Sequence, residues 1–232
     1  MKVSVVLPTY NEAGNIVRLV RAILDALPQG VTPEVIVVDD NSPDGTHALV
    51  AKEFAGDARV VAVLRTSDRG FAKSIRAGIE RASGDKVVVM DTDFTHDPAE
   101  LPRLLHVGRI YDLVSASRFC SGGRMQDVPH YLASFLFNLF LRVLLRTQVQ
   151  DNLGGYFLLD RALLAKVPFD RIFYGYGEYF FRLLHFAQRA RAKIVEIPAV
   201  YNVRTAGESK STFVKMLFTY SAAALKLRLG GE

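Results

Sequence analysis

The fold is decided by the stretch Val35-Ile36-Val37-Val38-Asp39-Asp40-Asn41-Ser42-Pro43-Asp44-Gly45, in which four apolar residues lead directly into a polar turn. A short, continuous apolar run is typical of a strand buried on both faces, as in a parallel sheet covered by helices. A second run, Val87-Val88-Val89-Met90, ends in the same way, at Asp91 and Asp93. The two runs therefore predict parallel strands with polar side chains at their carboxyl ends.

On both sides of these runs, strands and helices alternate through the first half of the chain. Strands are predicted at residues 3–7, 34–39, 59–64 and 86–91, and helices at residues 12–27, 47–54 and 72–82. The β-α-β-α order predicts an α/β fold with a Rossmann-like, mostly parallel sheet and right-handed crossovers.

The second half is less regular. Strands are predicted at residues 112–117, 155–159 and 193–203, and helices at residues 131–145, 176–191 and 211–229. No linker rich in Pro, Gly or Ser separates the halves, so the 232 residues are interpreted as one domain.

Charge and composition narrow the range of partners. The net charge of +5 and the pI near 9.3 favour an anionic partner. The basic residues are scattered, and neither an RNA-binding signature nor a helix-turn-helix pattern is present, so nucleic acid is not expected. Cys120 is the single cysteine, which rules out an intrachain disulfide and fits a reducing compartment.

Polar clusters follow three of the predicted strands. They are Pro8-Thr9-Tyr10-Asn11-Glu12, the turn Asp39–Gly45, and Asp91-Thr92-Asp93. Each cluster alone could be a helix cap or a turn. Three at the carboxyl ends of parallel strands would share one edge of the sheet, which is where ligands bind in such folds.

The chemistry of this edge points to a divalent cation. Asp91 and Asp93, two residues apart on a turn, can face one Mg²⁺ or Mn²⁺, and such ions share their oxygen ligands with substrate phosphates. No glycine-rich phosphate loop follows the first strand, which excludes the signatures of dehydrogenases and P-loop NTPases.

These segments together resemble family 2 glycosyltransferases of the GT-A type, and within them the chain is most similar to dolichol- and polyprenol-phosphate mannosyltransferases. Later segments extend the resemblance to about residue 210: Ser117-Arg118-Phe119 with Gly122-Gly123, Asp151-Asn152-Leu153-Gly154-Gly155-Tyr156-Phe157, and Arg204 with Gly207-Glu208-Ser209-Lys210. The resemblance implies a nucleotide-binding half at about residues 1–110, an acceptor-binding half at about 111–210 and a C-terminal amphipathic, interfacial helix at 211–232.

The same resemblance assigns roles to individual residues. It places the nucleoside on Pro8, Tyr10, Glu12, Val38 and Asp40, with Thr92 between the two metal-binding aspartates, Asp91 and Asp93. It places Arg118, Arg204 and Lys210 beside the phosphates of donor or acceptor. Family members often complete the metal site with a Gln two residues after the second Asp. Here Thr95 occupies that position, so Thr95, water or the adjacent His96 would have to complete it.

The implied reaction is an inverting transfer of a hexose onto polyprenyl or dolichyl phosphate, with GDP-mannose ranked before UDP-glucose as the donor. A phosphate acceptor needs no strong general base, whereas a saccharide hydroxyl would, and Glu178 is then the candidate. Glu178 could instead be only a helix-start residue favoured by the helix dipole. Arg204 and Lys210 could instead be solvated surface charges. A nucleotide-binding protein without catalysis remains a third interpretation.

A membrane surface is a further expected partner. No apolar segment reaches about 20 residues, so a spanning helix is not expected. The apolar segments at 131–145 and 213–229 could instead lie in the membrane interface, or serve as core or dimer helices. Many relatives continue into C-terminal membrane spans, so a peripheral protein on the cytoplasmic face, a separate membrane subunit and a shortened chain all remain open.

Overall fold

The computed structural model of the chain describes residues 1–125, 128–202 and 213–230. Its centre is a seven-stranded sheet with the order β3-β2-β1-β4-β7-β5-β8. The strands are β1 (Lys2–Thr9), β2 (Thr32–Asp39), β3 (Val60–Leu64), β4 (Lys86–Val89), β5 (Leu113–Ser117), β7 (Phe157–Asp160) and β8 (Ile194–Pro198). The short strands β6 (Arg124–Met125) and β9 (Val200–Tyr201) pair in parallel as a second sheet.

The helices are α1 (Ile16–Ala26), α2 (Thr46–Glu53), α3 (Phe71–Arg81), α4 (Leu101–Val107), α5 (Val128–Leu145), α6 (Arg161–Leu164), α7 (Tyr179–Arg189) and α8 (Phe213–Arg228). Two 3-10 turns, Pro98–Glu100 and Phe169–Arg171, complete the described elements.

The predicted mostly parallel α/β sheet is confirmed, with one strand reversed. β1 pairs in parallel with β2 and β4, β2 with β3, and β5 with β8. β7 lies between β4 and β5 and is antiparallel to both. The residues that precede β7 therefore reach the same edge of the sheet as the residues that follow β1, β2, β4 and β5.

Some predicted boundaries need correction. The strand predicted at 193–203 is two strands in different sheets, because β8 ends at Pro198 and β9 begins at Val200. The helix predicted at 176–191 begins at Tyr179, after a loop whose residue Gly175 has a positive φ of 78°. Helix α4 was not predicted, although its Leu101, Leu104 and Leu105 are buried at helical spacing.

Two apolar layers cover the faces of the sheet. On one face α1 and α4 pack on alternate residues of the strands, such as Val5 and Val88, and on the other face α3 and α7 pack on neighbours such as Val6 and Val87. A third cluster joins α5 to α8 through Leu141, Tyr220 and Ala224. Among the described residues, no helix combines the length and apolar character needed to cross a bilayer.

Candidate active site

The first two polar clusters are bound to each other at the edge of the sheet. The backbone N–H of Asn11 donates to Ser42 Oγ at 2.9 Å, and that of Ala13 donates to Asp44 Oδ2 at 3.0 Å. Burial raises the pKa of Asp44, but hydrogen bonds from Thr46 and Ala13 outweigh it, and the pKa lies below its ordinary value. The expectation that these clusters share one edge is confirmed.

Asp40 anchors the loop that follows β3. Its Oδ2 accepts the backbone N–H of Gly70 at 2.8 Å, and its Oδ1 accepts a hydrogen bond from the Arg65 guanidinium. The same loop carries Arg69, whose guanidinium carbon lies 4.0 Å from the centre of the Tyr10 ring. Two of the residues assigned to the nucleoside, Tyr10 and Asp40, are thus held by one short segment, 65–70.

The other residues assigned to the nucleoside lie beneath or beside this region. Pro8 and Val38 are paired in β1 and β2, and the side chain of Val38 is buried in the core. Since the side chain of Val38 faces the core, only its backbone could meet a nucleoside, and its carbonyl already accepts the Thr9 hydroxyl at 3.3 Å. Glu12 is half-buried and accepts a hydrogen bond from the Asn15 amide at 3.1 Å.

The acidic turn follows β4 at the same edge. Asp91 is partly exposed, whereas Thr92 and Asp93 are buried. The turn closes at Phe94, whose φ of 63° is in the left-handed region that β-carbon-bearing residues seldom adopt. Thr95 donates to Asp93 Oδ1 from both its hydroxyl, at 2.6 Å, and its backbone N–H, at 3.1 Å. Thr95 thus orients one of the two carboxylates.

His96 lies directly behind Asp91. Its Nδ1 accepts the Asp91 backbone N–H at 2.9 Å, and its Nε2 is 3.7 Å from Asp91 Oδ2. Burial lowers the pKa of His96, although the charges of Asp91 and Asp93 raise it. The ring is therefore neutral at physiological pH, with the proton on Nε2.

Arg118, at the end of β5, forms a buried ion pair. Its Nε and Nη2 each donate to one carboxylate oxygen of Asp151 at 2.8 Å. Burial alone lowers the pKa of Arg118, but Asp151 raises it above the ordinary value. Asp151 Oδ1 also accepts the Leu153 N–H at 3.3 Å, so the pair fixes the loop that leads to β7.

This loop brings Gly155 against the acidic turn. A β-carbon on Gly155 would lie 3.6 Å from both carboxylate oxygens of Asp91 and 3.3 Å from the His96 ring. A side chain on Gly123, after β5, would meet the Ser117 carbonyl oxygen at 2.3 Å. The backbone at Gly155 thus lies close to the acidic turn, and the backbone at Gly123 packs on the end of β5, where a side chain would not fit.

Glu178 is the N-cap residue directly before helix α7 and is buried. Its Oε2 accepts the Tyr176 N–H at 3.0 Å, and its Oε1 lies 3.7 Å from Arg182. The Tyr176 ring is 5.2 Å from that of Phe71, the residue after Gly70. Glu178 therefore stabilises a loop beside the Asp40 region. Arg204 and Lys210 lie outside the described residues.

Sequence reasoning missed several residues of this site. Asp151 was noted only as part of a longer segment, and Arg65, Arg69, Tyr156 and Tyr201 were not singled out. The signal for Asp151 was an acidic residue beside an apolar helix, but its partner Arg118 is 33 residues away in the sequence.

The metal site can be tested against this geometry. Within residues 1–125, 128–202 and 213–230, no group of three or more His, Cys, Asp and Glu side chains is arranged to hold a metal ion. Asp91 and Asp93 offer only carboxylate oxygens, which suit Mg²⁺ or Mn²⁺, ions that commonly take their remaining ligands from water and phosphates. The residues fit a cation that binds together with a diphosphate.

The parallel sheet and the acidic turn at its edge define an α/β protein of the GT-A class. The chain belongs to glycosyl transferase family 2, whose model matches residues 4–167. It is therefore a glycosyltransferase.

Among its relatives, the chain is 35% identical over 220 residues to an undecaprenyl-phosphate mannosyltransferase of Micrococcus luteus, spanning 90% of this chain and 87% of that protein. It is 34% identical over 216 residues to the dolichol-phosphate mannosyltransferase of Pyrococcus furiosus, where it spans 90% of this chain but 59% of the relative.

Solved structures agree on the fold. The crystal structure of Mycobacterium tuberculosis glucosyl-3-phosphoglycerate synthase in complex with Mn²⁺, UDP and glucosyl-3-phosphoglycerate superposes with a TM-score of 0.72 at 23% identity, covering 100% of this chain and 81% of that one. The same enzyme has also been crystallised with Mg²⁺ and UDP.

Proposed function

We propose that the chain is an inverting, metal-dependent hexosyltransferase that moves a sugar from a nucleotide sugar, GDP-mannose first, onto a polyprenyl phosphate such as undecaprenyl or dolichyl phosphate. The observation that carries the proposal is the position of the acidic turn with Asp91 and Asp93 beside the Arg118–Asp151 pair. The Tyr201 ring lies 4.7 Å from the His96 ring and 5.0 Å from the Arg118 guanidinium carbon. Relatives named for transfer to undecaprenyl and dolichol phosphate support the choice of acceptor.

On the donor side, Tyr10 and Asp40 are assigned to the nucleoside, with Pro8, Glu12 and the Val38 backbone around it. Asp91 and Asp93 would hold Mg²⁺ or Mn²⁺, with Thr95 orienting Asp93 through the two hydrogen bonds to its Oδ1. When bound, the cation offsets negative charge on the departing diphosphate. Thr92, between the two aspartates, is buried.

On the acceptor side, a phosphate needs cations rather than a general base. Arg118 has five N–H donors, two of which bind Asp151. Its guanidinium carbon lies 5.0 Å from the centre of the Tyr201 ring, which also packs on His96 behind the acidic turn. Arg204 and Lys210 are proposed as further phosphate ligands. Because the Glu178 carboxylate binds its own loop, a hydroxyl acceptor that requires Glu178 as a base is the weaker alternative.

We propose that α5 and α8 form the surface that receives the lipid acceptor. The same surface would contact the bilayer. Leu136 and Val143 of α5 and Phe218 of α8 are 56%, 71% and 71% exposed. Arg142 and Arg228 lie exposed on the same two helices, which favours anionic headgroups.

A transfer assay tests the reaction. The protein, Mn²⁺ and undecaprenyl phosphate are incubated with radiolabelled GDP-mannose or, in parallel, UDP-glucose. We expect label in an organic-extractable product that mild acid cleaves, as a glycosyl phosphate requires. Label in a saccharide instead would favour a hydroxyl acceptor, and nucleotide binding without any transfer would favour the non-catalytic interpretation.

Sedimentation with phosphatidylglycerol vesicles tests the membrane surface. Val143→Asp should weaken binding, because it places a negative charge on the exposed apolar face. Ile110→Asp is the matched control, since Ile110 is 68% exposed on a different part of the molecule. Equal binding by both variants would contradict the assigned surface.

A further inference from the structure

His96 stands behind the acidic turn as a buried, fixed ring. Its side chain is 1% exposed. The ring stacks on Tyr156 with centroids 5.0 Å apart and meets the edge of Tyr201 at 4.7 Å. Gly155 closes a further side, because even a β-carbon there would come within 3.3 Å of the ring carbon Cε1. These contacts fix the plane of the ring, and the hydrogen bond from the Asp91 N–H selects the orientation in which Nδ1 faces the turn.

That orientation directs Nδ1 at the backbone of Asp91. The Asp91 N–H donates to Nδ1 at 2.9 Å, and this bond spans the turn from its first residue to its sixth. Within the turn, Phe94 has a left-handed backbone and Thr95 binds Asp93. The turn thus contains an unfavourable backbone conformation that contacts on both sides must hold in place.

The far side of the turn is held by the same aromatic region. The Asn202 N–H, directly after Tyr201, donates to the Thr95 carbonyl at 3.1 Å. The Tyr156 hydroxyl donates to the Asp97 carbonyl at 3.1 Å. Residues from two other parts of the chain, 155–156 and 201–202, therefore fix the segment that carries both carboxylates.

We propose that His96 is a positioning residue for the cation site: its Nδ1 holds the Asp91 backbone so that the carboxylates of Asp91 and Asp93 face one ion. This inference rests on the proposed function, and it gives His96 a role as an acceptor behind the turn rather than as a metal ligand. His96 therefore does not act as a metal ligand in place of the Gln that other family members have at the position of Thr95.

Two substitutions distinguish the loss of the Nδ1 hydrogen-bond acceptor from the loss of ring packing. In His96→Asn the side-chain Oδ1 can occupy the place of Nδ1 and accept the Asp91 N–H. In His96→Leu the branching is the same but no acceptor remains. Both variants lose the ring and its stacking with Tyr156, so both should lose thermal stability to a similar extent.

The measurement is the Mn²⁺ affinity in the presence of GDP and, in a parallel titration, of UDP. Free Mn²⁺ is quantified in each titration by electron paramagnetic resonance. We expect His96→Leu to bind Mn²⁺ about 10–100-fold more weakly than wild type, as is typical when a group behind a metal ligand is lost. His96→Asn should stay much closer to wild type, and the Mn²⁺ concentration for half-maximal transfer should follow the same order.

Equal Mn²⁺ affinities for His96→Leu and His96→Asn would overturn the proposal, as would wild-type protein that binds no Mn²⁺ with either nucleotide. Wild-type protein that binds Mn²⁺ but transfers no sugar to undecaprenyl phosphate would instead contradict the proposed function. In that case the affinity order of the two variants still decides the role of His96.

Discussion

Replacing Asp151 with Asn removes the carboxylate that pairs with Arg118. The pair is buried, with the side chain of Asp151 0% exposed and that of Arg118 11% exposed. Asn keeps the shape, but only one of its two terminal atoms can accept a hydrogen bond, and the guanidinium charge is left without a buried counter-charge. The single oxygen of Asn can accept the bonds of Asp151 Oδ1, from Arg118 Nη2 and the Leu153 N–H, or those of Oδ2, from Arg118 Nε and the Arg118 N–H, but not both sets.

Leaving one member of a buried pair unpaired costs about 3–5 kcal/mol of unfolding free energy. For a protein of this size, each 1 kcal/mol lowers Tm by roughly 2–4 °C, so Asp151→Asn should lower Tm by about 6–20 °C. Transfer activity should also fall, because the loop that carries Gly155 toward Asp91 loses its anchor.

Asp57→Asn is the matched control. Asp57 makes a similar two-oxygen contact with Arg59, at 2.9 Å and 2.7 Å, but the pair lies on the surface. Exposed pairs contribute little, so Tm should barely change. Differential scanning calorimetry of both variants decides the matter: an Asp151→Asn protein whose Tm matches that of Asp57→Asn would show that the Arg118 pair does not hold the loop.

Three further changes test separate parts of the structure. Asp93→Ala should reduce sugar transfer by ~100-fold or more without a comparable loss of Tm, and near-normal turnover would refute its role at the cation. Gly78→Ala should cost about 1–3 kcal/mol in urea unfolding, because the new β-carbon would lie 2.3 Å from Val6 Cγ1; unchanged stability would mean that β1 and α3 can separate at no cost. Burial raises the pKa of Glu34, but hydrogen bonds from Ser4, Ser83 and Lys2 bring it from 4.5 down to about 2, so the stability it contributes is complete above about pH 4.5 and is lost as pH falls toward 2. Glu34→Gln should therefore flatten the dependence of unfolding free energy on pH in that window, and a wild-type slope in the variant would contradict this.

The sequence predicted the parallel strands well, because their apolar runs are long and their polar ends are distinct. The runs at Val35–Val38 and Val87–Val89 lie in β2 and β4, and the clusters that follow them lie at one edge. Helix α4 was missed because it has only seven residues, with Pro102 in its first turn, so its periodicity covers less than two full turns.

The reversed strand and the buried ion pair could not be predicted from local pattern. Phe157–Asp160 has the same apolar character whichever way it runs, and its direction depends on the long segment before it. The pairing of Arg118 with Asp151 joins residues 33 positions apart, and a single sequence contains no sign of which carboxylate an arginine will meet.

The position of β7 between β4 and β5 also has a consequence for synthesis on the ribosome. β4 (Lys86–Val89) pairs with β1 on one side, but its other side has no partner strand until Phe157–Asp160 has been translated and has left the exit tunnel. Newly made chains therefore carry Asp40, Asp91 and Asp93 on an incomplete sheet while its open edge can pair with other nascent chains. Chaperone demand and the yield of overproduced protein should depend on how quickly the stretch between these two strands is translated.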